Sequence, residues 1–178
     1  EGRFVESEKV LLMAKNVDSL NSDLMYNFSI LYCILKKYDL SLKYINKAIN
    51  LSKGNEIYKI LKADILLRNG SLDEALSCLN FLKSADKNPR QIQITNLISE
   101  IYIAKKLFSK AEEVLLKIVK DFSNLELGYL NLSRLYLITK ELDKGIKILK
   151  SGLSVSQNYI PFYKNLALIY RSTGDSNL

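Results

Sequence analysis

The sequence predicts an all-α protein of stacked helical hairpins, and three observations carry that expectation. Large and small residues recur at helical spacing, the set returns about every 34 residues, and seven glycines with two prolines in 178 residues favour long helices. The sharpest copy lies near the end: Tyr163, Leu166, Ala167 and Tyr170, followed by Gly174. Offsets of three, four and seven residues place these side chains on one helix face. One period earlier stand Tyr129, Leu132, Ser133 and Tyr136. Further back are Met25, Phe28, Ser29 and Tyr32, with a weaker set at Thr95, Ile98, Ser99 and Tyr102.

The small residue that closes each second helix divides the chain, read as a single domain over 1–178. A half repeat at 1–21 precedes repeats 22–55, 56–89, 92–125 and 126–159, and a second half repeat occupies 160–178. Arg90 and Gln91 are an insertion. Each repeat reads as helix A, a turn, then helix B. The first half repeat is a helix B, because Phe4, Ser7, Leu11 and Ala14 match Tyr38, Ser41, Ile45 and Ala48. The next repeat places its helices near 22–35 and 38–51. In repeat 56–89, Gly70 can end a helix in the left-handed conformation, and Ser71 with Glu74 forms a capping-box pattern opening helix B. Leu72, Ala75, Leu79 and Leu82 follow on its buried face. Lys59 and Lys62 stand where other repeats carry large apolar groups, which predicts a slightly rotated or shifted helix A. Repeat 92–125 opens with Asn88 as cap and Pro89 in the first turn, and its helix B carries Phe108, Ala111, Leu115 and Ile118. In the fourth repeat Gly145 and Gly152 fall in mid-helix, each costing about 1 kcal/mol against alanine. Their register matches small residues elsewhere, so they read as points where two backbones approach closely.

Composition narrows the chemistry. The chain is 48% hydrophobic and 25% charged, ordinary for a folded domain, with a net charge of +7 that raises the question of acidic partners. It has no histidine, which excludes Ser-His-Asp and Cys-His nucleophiles and imidazole ligands. Cys33 and Cys78 are too few for a thiolate zinc site. They fall on different helices with two between them, so no disulfide is expected. Free thiols point toward a reducing compartment such as the cytoplasm. No run of 18 apolar residues offers a membrane span. No metal, cofactor or catalytic cluster is expected.

The recurring residues resemble the tetratricopeptide repeat. That family places a small residue at position eight, an aromatic at eleven, glycine near fifteen, an aromatic at seventeen and small residues at twenty and twenty-seven. Here the likeness runs through Tyr163, Ala167, Tyr170 and Gly174, then Tyr129, Ser133, Tyr136, Gly145 and Gly152. It continues in Tyr32, Tyr38 and Ala48, in Gly70 and Ala75, and in Tyr102, Phe108 and Ala111. Lys59, Lys62 and Ser41 depart from the pattern, as do most repeat ends in lacking proline. The resemblance implies a right-handed α-α superhelix of about five hairpins, with half repeats at both ends and A helices lining its inner surface. It also implies which positions face inward: the second, fifth, ninth, twelfth and thirteenth of each repeat.

Those positions give the candidate partner-binding residues: Tyr26, Ile30 and Cys33; Ile60, Asp64 and Leu67; Asn96 and Glu100; Leu130, Arg134 and Leu137; Lys164 and Arg171. Ile34, Ile57, Arg68, Ile103, Leu127, Ile138 and Leu168 share the same register. An apolar lining not needed for the core marks an interaction surface, and an amphipathic helix or extended apolar segment is the guest it fits. The expected function is therefore a non-catalytic scaffold holding a protein or peptide partner in a concave groove, as a segment of a larger protein. Two alternatives stay open. One is an RNA-binding or regulatory module of a larger enzyme, although recognition of RNA bases needs polar inner positions and these are mostly Leu and Ile. The other is self-assembly through the terminal half repeats, where Val10, Leu11, Tyr163 and Leu166 lack a covering helix.

Overall fold

The computed structural model describes residues 2–82 and 89–173. These form ten α-helices, with no strand among the described residues. The chain divides into two compact units, 1–84 and 85–178. The first holds α1 (Gly2–Val17), α2 (Ser22–Ile34), α3 (Tyr38–Leu51), α4 (Glu56–Arg68) and α5 (Leu72–Asn80). The second holds α6 (Pro89–Ala104), α7 (Phe108–Asp121), α8 (Glu126–Thr139), α9 (Leu142–Val155) and α10 (Ile160–Thr173). Helices α2, α4, α6, α8 and α10 are A helices; α1, α3, α5, α7 and α9 are B helices. Asn88, the expected cap of α6, lies outside the described residues.

Each A-to-B turn is built from one backbone device. Lys36, Gly70, Lys106 and Lys140 take positive φ, between +57° and +85°, at the same place in four hairpins. The next amide then reaches back across the turn: Lys37 to the Tyr32 carbonyl at 2.8 Å, Ser71 to Leu66 at 2.9 Å, Leu107 to Tyr102 at 2.8 Å and Glu141 to Tyr136 at 2.8 Å. This closure satisfies carbonyls that a helix end leaves unpaired. Three of the four positions carry lysine, where only Gly70 announced a left-handed residue. The capping box expected at Ser71 and Glu74 does not form, because Ser71 makes no side-chain cap bond. Its backbone already closes the turn. Side-chain caps appear on A helices instead: Asn21 accepts from the Leu24 amide at 3.0 Å and Asn55 from Ile57 at 2.9 Å.

Small residues set how closely A and B pack. Ser29, Ala63, Ser99 and Ser133 on A helices are all buried, as are Ser41, Ala75, Ala111 and Gly145 on B helices. In the first hairpin the Ser41 hydroxyl donates to the Ser29 carbonyl at 2.7 Å, and the Ser29 hydroxyl donates to the Ser41 carbonyl at 3.0 Å. Ile45, Leu79, Leu115 and Leu149, one turn further along the B helices, are completely enclosed. Aromatic rings fill the space around the first of them: Tyr44 stacks on Phe28 and Tyr32 with centroids 4.7 and 5.4 Å apart.

Helix α4 repeats the bounds of α2 one period later, so it has not slipped in register. Its burial is redistributed instead. Lys59 and Lys62 are half-buried rather than enclosed, as suits long side chains with an apolar stem and a charged end. Tyr58, Ile60, Ala63, Ile65 and Leu66 take up the enclosed positions around them.

Gly152 makes room for a side chain, and Gly145 for a side chain as well as for the Ser133 carbonyl of the facing helix. A Cβ on Gly152 would meet the Phe162 ring at 2.6 Å, and one on Gly145 would meet Ile169 Cδ1 at 2.9 Å. At the α7–α8 junction the sizes are reversed, since a Cβ on Gly128 would meet Ile118 at 3.0 Å. Alanine at 152 gains about 1 kcal/mol of helix propensity, but overpacking of a closed core costs about 1–3 kcal/mol. Gly152→Ala should therefore lower the midpoint of urea unfolding, and a midpoint that rises would show that Phe162 yields freely.

The turns give a second prediction. Gly70 has open space around its Cα, so only its φ of +85° resists a side chain. Gly70→Ala should cost about 1 kcal/mol, while Lys106→Gly should add about 0.5 kcal/mol after its extra unfolded-state entropy is counted. Chemical denaturation of both variants checks the opposed signs.

Candidate functional site

In the unit 1–84, A helices α2 and α4 lie side by side, tied by the stacked rings of Tyr26 and Tyr58 with centroids 4.8 Å apart. Between them is a cleft of about 300 Å³, lined by Ile30, Cys33 and Ile34 from α2 and by Leu61, Asp64 and Arg68 from α4, with Lys36 and Tyr38 at the turn. Arg68 Nε donates to both carboxylate oxygens of Asp64, at 3.1 and 3.0 Å. The pair sits one helical turn apart on an accessible surface, a geometry that adds only about 0.3–0.5 kcal/mol to stability. Its consequence is local charge placement. Burial pushes the Cys33 thiol above its ordinary range and the Asp64 carboxylate adds to that, while Arg68 opposes it. Asp64 in turn holds Arg68 firmly protonated.

In the unit 85–178, polar side chains link successive A helices. Asn131 Nδ2 on α8 donates to Asn96 Oδ1 on α6 at 3.1 Å, and Asn165 Nδ2 on α10 donates to Ser133 Oγ on α8 at 3.1 Å. Glu100, Arg134, Lys164 and Arg171 are exposed.

A tyrosine–glutamate bond joins an A helix to the preceding B helix in both units. Tyr32 donates to Glu8 Oε1 at 2.6 Å and Tyr136 to Glu112 Oε1 at 2.8 Å, each spanning 24 residues. Burial and the carboxylate push Tyr136 up to about 12 and raise Tyr32 further. Tyr58 similarly donates to Asp23.

Comparison with known proteins settles the architecture. No protein-family model matches the chain. Over 145 residues it is 24% identical to a TPR repeat-containing protein of Methanocaldococcus jannaschii, a stretch covering 81% of this chain and 25% of that one. The chain thus spans about a quarter of the length of this curated relative. The crystal structure of a tetratricopeptide repeat protein from Parabacteroides merdae superposes with a TM-score of 0.73 at 20% identity, covering 98% of this chain and 68% of that one. YrrB, a TPR protein with an unusual peptide-binding site, superposes with a TM-score of 0.58 at 12% identity, covering 94% of this chain and 85% of that one. The chain has the tetratricopeptide-repeat fold.

The inner positions of these tetratricopeptide repeats are not all surface. Ile60 is a correction: it is 2% exposed and belongs to the core, so it cannot line a groove. The two neighbouring lysines cannot be enclosed without partners, and Ile60 supplies apolar burial in their place. Tyr26, Ile30, Cys33, Asp64 and Leu67 are half-buried. Leu130 and Leu137 are also half-buried, packing on a core cluster of Tyr129, Leu149, Phe162 and Ile169. Asn96 is half-buried and engaged by Asn131. The freely accessible apolar groups of this register are Ile34 at 58%, Ile57 at 49%, Leu127 at 41%, Ile138 at 44% and Leu168 at 43%. Sequence reading missed Asn131 and Asn165 as links between A helices, although both precede their repeat's seventh residue at the same offset.

Among the described residues no helix is long and apolar enough to cross a membrane, and no group of three or more Cys, Asp or Glu side chains is arranged to hold a metal. Cys33 reports on the cleft directly. Asp64→Asn removes a charge that disfavours the thiolate and leaves one that favours it. Alkylation of Cys33 at neutral pH should speed up several-fold in that variant, and an unchanged rate would show that the thiol does not sense the pair.

Proposed function

We propose that the chain is a non-catalytic docking module and that the A-helix face of unit 1–84 receives a segment of a protein partner. The observation that supports this most is the cleft between α2 and α4. Ile30, Cys33 and Leu61 form its apolar floor, Ile34 stands 58% exposed at its edge, and the Asp64–Arg68 pair borders it. Accessible apolar surface in a lined depression gains about 25 cal/mol for each Å² a guest removes from water. The charged border fixes the orientation of that guest more than its affinity. An apolar side chain from an extended or helical segment matches this combination.

Unit 85–178 would contribute differently. Its inner register carries Glu100, Arg134, Lys164 and Arg171 exposed to solvent, so it offers attraction and selectivity toward a charged segment rather than an apolar anchor. The peptide-binding site of YrrB is a property of that protein; it supports the reading by showing that this fold can serve such a role.

Selection of binders from a random peptide library tests the proposal. Ile34→Glu and Arg68→Glu should each weaken a selected peptide at least about tenfold, as expected for residues central to a small interface. Lys150→Glu, on the exposed side of α9, should not. A selected peptide indifferent to both A-helix substitutions would overturn the proposal. Loss of binding with salt at the steep slope of phosphate contacts, seen with RNA in place of peptide, would favour the nucleic-acid alternative.

A further inference from the structure

We propose that the cleft between α2 and α4 selects an acidic segment, its apolar floor taking one side chain while Arg68 and Lys36 take the carboxylate of a neighbouring Asp or Glu. The inference rests on the docking role proposed above for this cleft and adds the chemistry of the guest. Lys36, Asp64 and Arg68 are the ionic side chains that line it. Two cations against one carboxylate leave a positive charge in excess. The Cys33 thiol adds no negative charge at neutral pH, because burial, and after it Asp64, pushes the thiol above its ordinary range. The acidic partner that a net charge of +7 calls for thus has a place to bind.

Hydrogen-bonding capacity decides what that charge can do. Asp64 engages Arg68 through Nε alone, its two oxygens standing at 3.1 and 3.0 Å. The edge between the two Nη atoms makes no hydrogen bond or ion pair among the described residues, and neither does the Lys36 ammonium. An arginine fork anchored on one side is oriented before a guest arrives, and its open edge matches the two oxygens of a carboxylate. A guest carboxylate in contact with Nη stands closer to the cation than to Asp64 beyond Nε, so attraction exceeds repulsion. Both cations are exposed, whereas Ile30 and Leu61 of the floor are half-buried. One side chain cannot satisfy both surfaces, so the recognised unit is an apolar residue with an acidic one beside it. Ile57, Leu61, Asp64 and Arg68, at offsets of four, seven and eleven residues, share one face of α4. Ile57 is accessible in the first turn of that helix, so a segment can continue along the face past the cleft. The acid is therefore an internal side chain rather than a chain end.

Two pools of peptides, acetylated and amidated at their ends, test this against the 178-residue chain by fluorescence anisotropy. Both hold Leu or Phe at a central position; Asp and Glu flank it in one pool, Asn and Gln in the other. The best acidic peptide should bind about fivefold tighter than its Asn or Gln counterpart, and added salt should shrink that ratio. Arg68→Gln should abolish the difference. Lys36→Gln should lower it less, since an ammonium makes a point contact where the guanidinium makes a fork. Lys150→Gln, which removes a cation from the exposed side of α9, should leave it unchanged. All three positions are exposed, so circular dichroism should show the same helicity in every variant. Equal affinity for the two members of a pair, with Ile34→Glu still abolishing both, would overturn the acid preference and leave the docking role standing. A preference that survives Arg68→Gln, or that falls equally with Lys150→Gln, would overturn its assignment to this cleft. Peptides of both pools that ignore Ile34→Glu, or fail to bind at all, would overturn both readings. Displacement of the acidic peptide by an oligouridylate of matched charge would also overturn the proposal, since a polyanion without an apolar side chain would then suffice.

Discussion

The helices of each hairpin can approach only as closely as their eighth and twentieth residues permit, and the remaining structure depends on that distance. Serine or alanine occupies the first position, and serine, alanine or glycine the second, in all four complete hairpins, always buried. A larger side chain would hold the helices apart and deprive the aliphatic residue one turn later of its enclosure. Serine is compatible with this site because its hydroxyl finds a carbonyl at once. The reciprocal Ser29–Ser41 bonds, and the bonds of Ser99 to Asn96 and Ser133 to Leu130 at 2.7 and 2.8 Å, satisfy every such group. Among the described residues no buried polar side-chain atom lacks a partner.

The turn completes the hairpin with backbone alone. A left-handed residue and the amide after it, bonded back across the turn, reverse the chain without recruiting a side chain. Side chains near the end of helix A are therefore free for other work. Cys33 and Arg68 lie on the last turns of α2 and α4, where they border the cleft between those helices. Structural economy at the turn and chemical freedom on the A-helix face are linked.

Most of the architecture was legible because it rests on size and spacing, which the sequence states directly. Tyr129, Leu132, Ser133 and Tyr136 announce a helix face, and their recurrence announces a repeat. Three kinds of feature were not legible. Lys36, Lys106 and Lys140 adopt positive φ, a conformation lysine does not favour and the surrounding hairpin imposes. Ile60 has the spacing of an inner residue but is enclosed, because burial in α4 is shared around two lysines rather than set by period alone. The Tyr–Glu and Asn–Asn bonds join residues 24 and 35 apart, and such pairs declare themselves only once the stacking of neighbours is known. On the candidate surface, spacing could not separate half-buried Leu130 and Leu137 from accessible Ile138.

The junctions between hairpins carry a code of their own. Gly152 faces Phe162, while Ile118 faces Gly128, so bulk changes sides from one junction to the next. Ala48 is the third variant, sharing its cluster with Tyr58. Hairpins that look alike in outline are thus not interchangeable parts. Exchanging hairpins 92–125 and 126–159 would drive Ile118 into Phe162 at one seam and leave Gly152 beside Ile94 at another, so the linear order of the modules is written into their contact surfaces and protects a repetitive chain against pairing with the wrong neighbour.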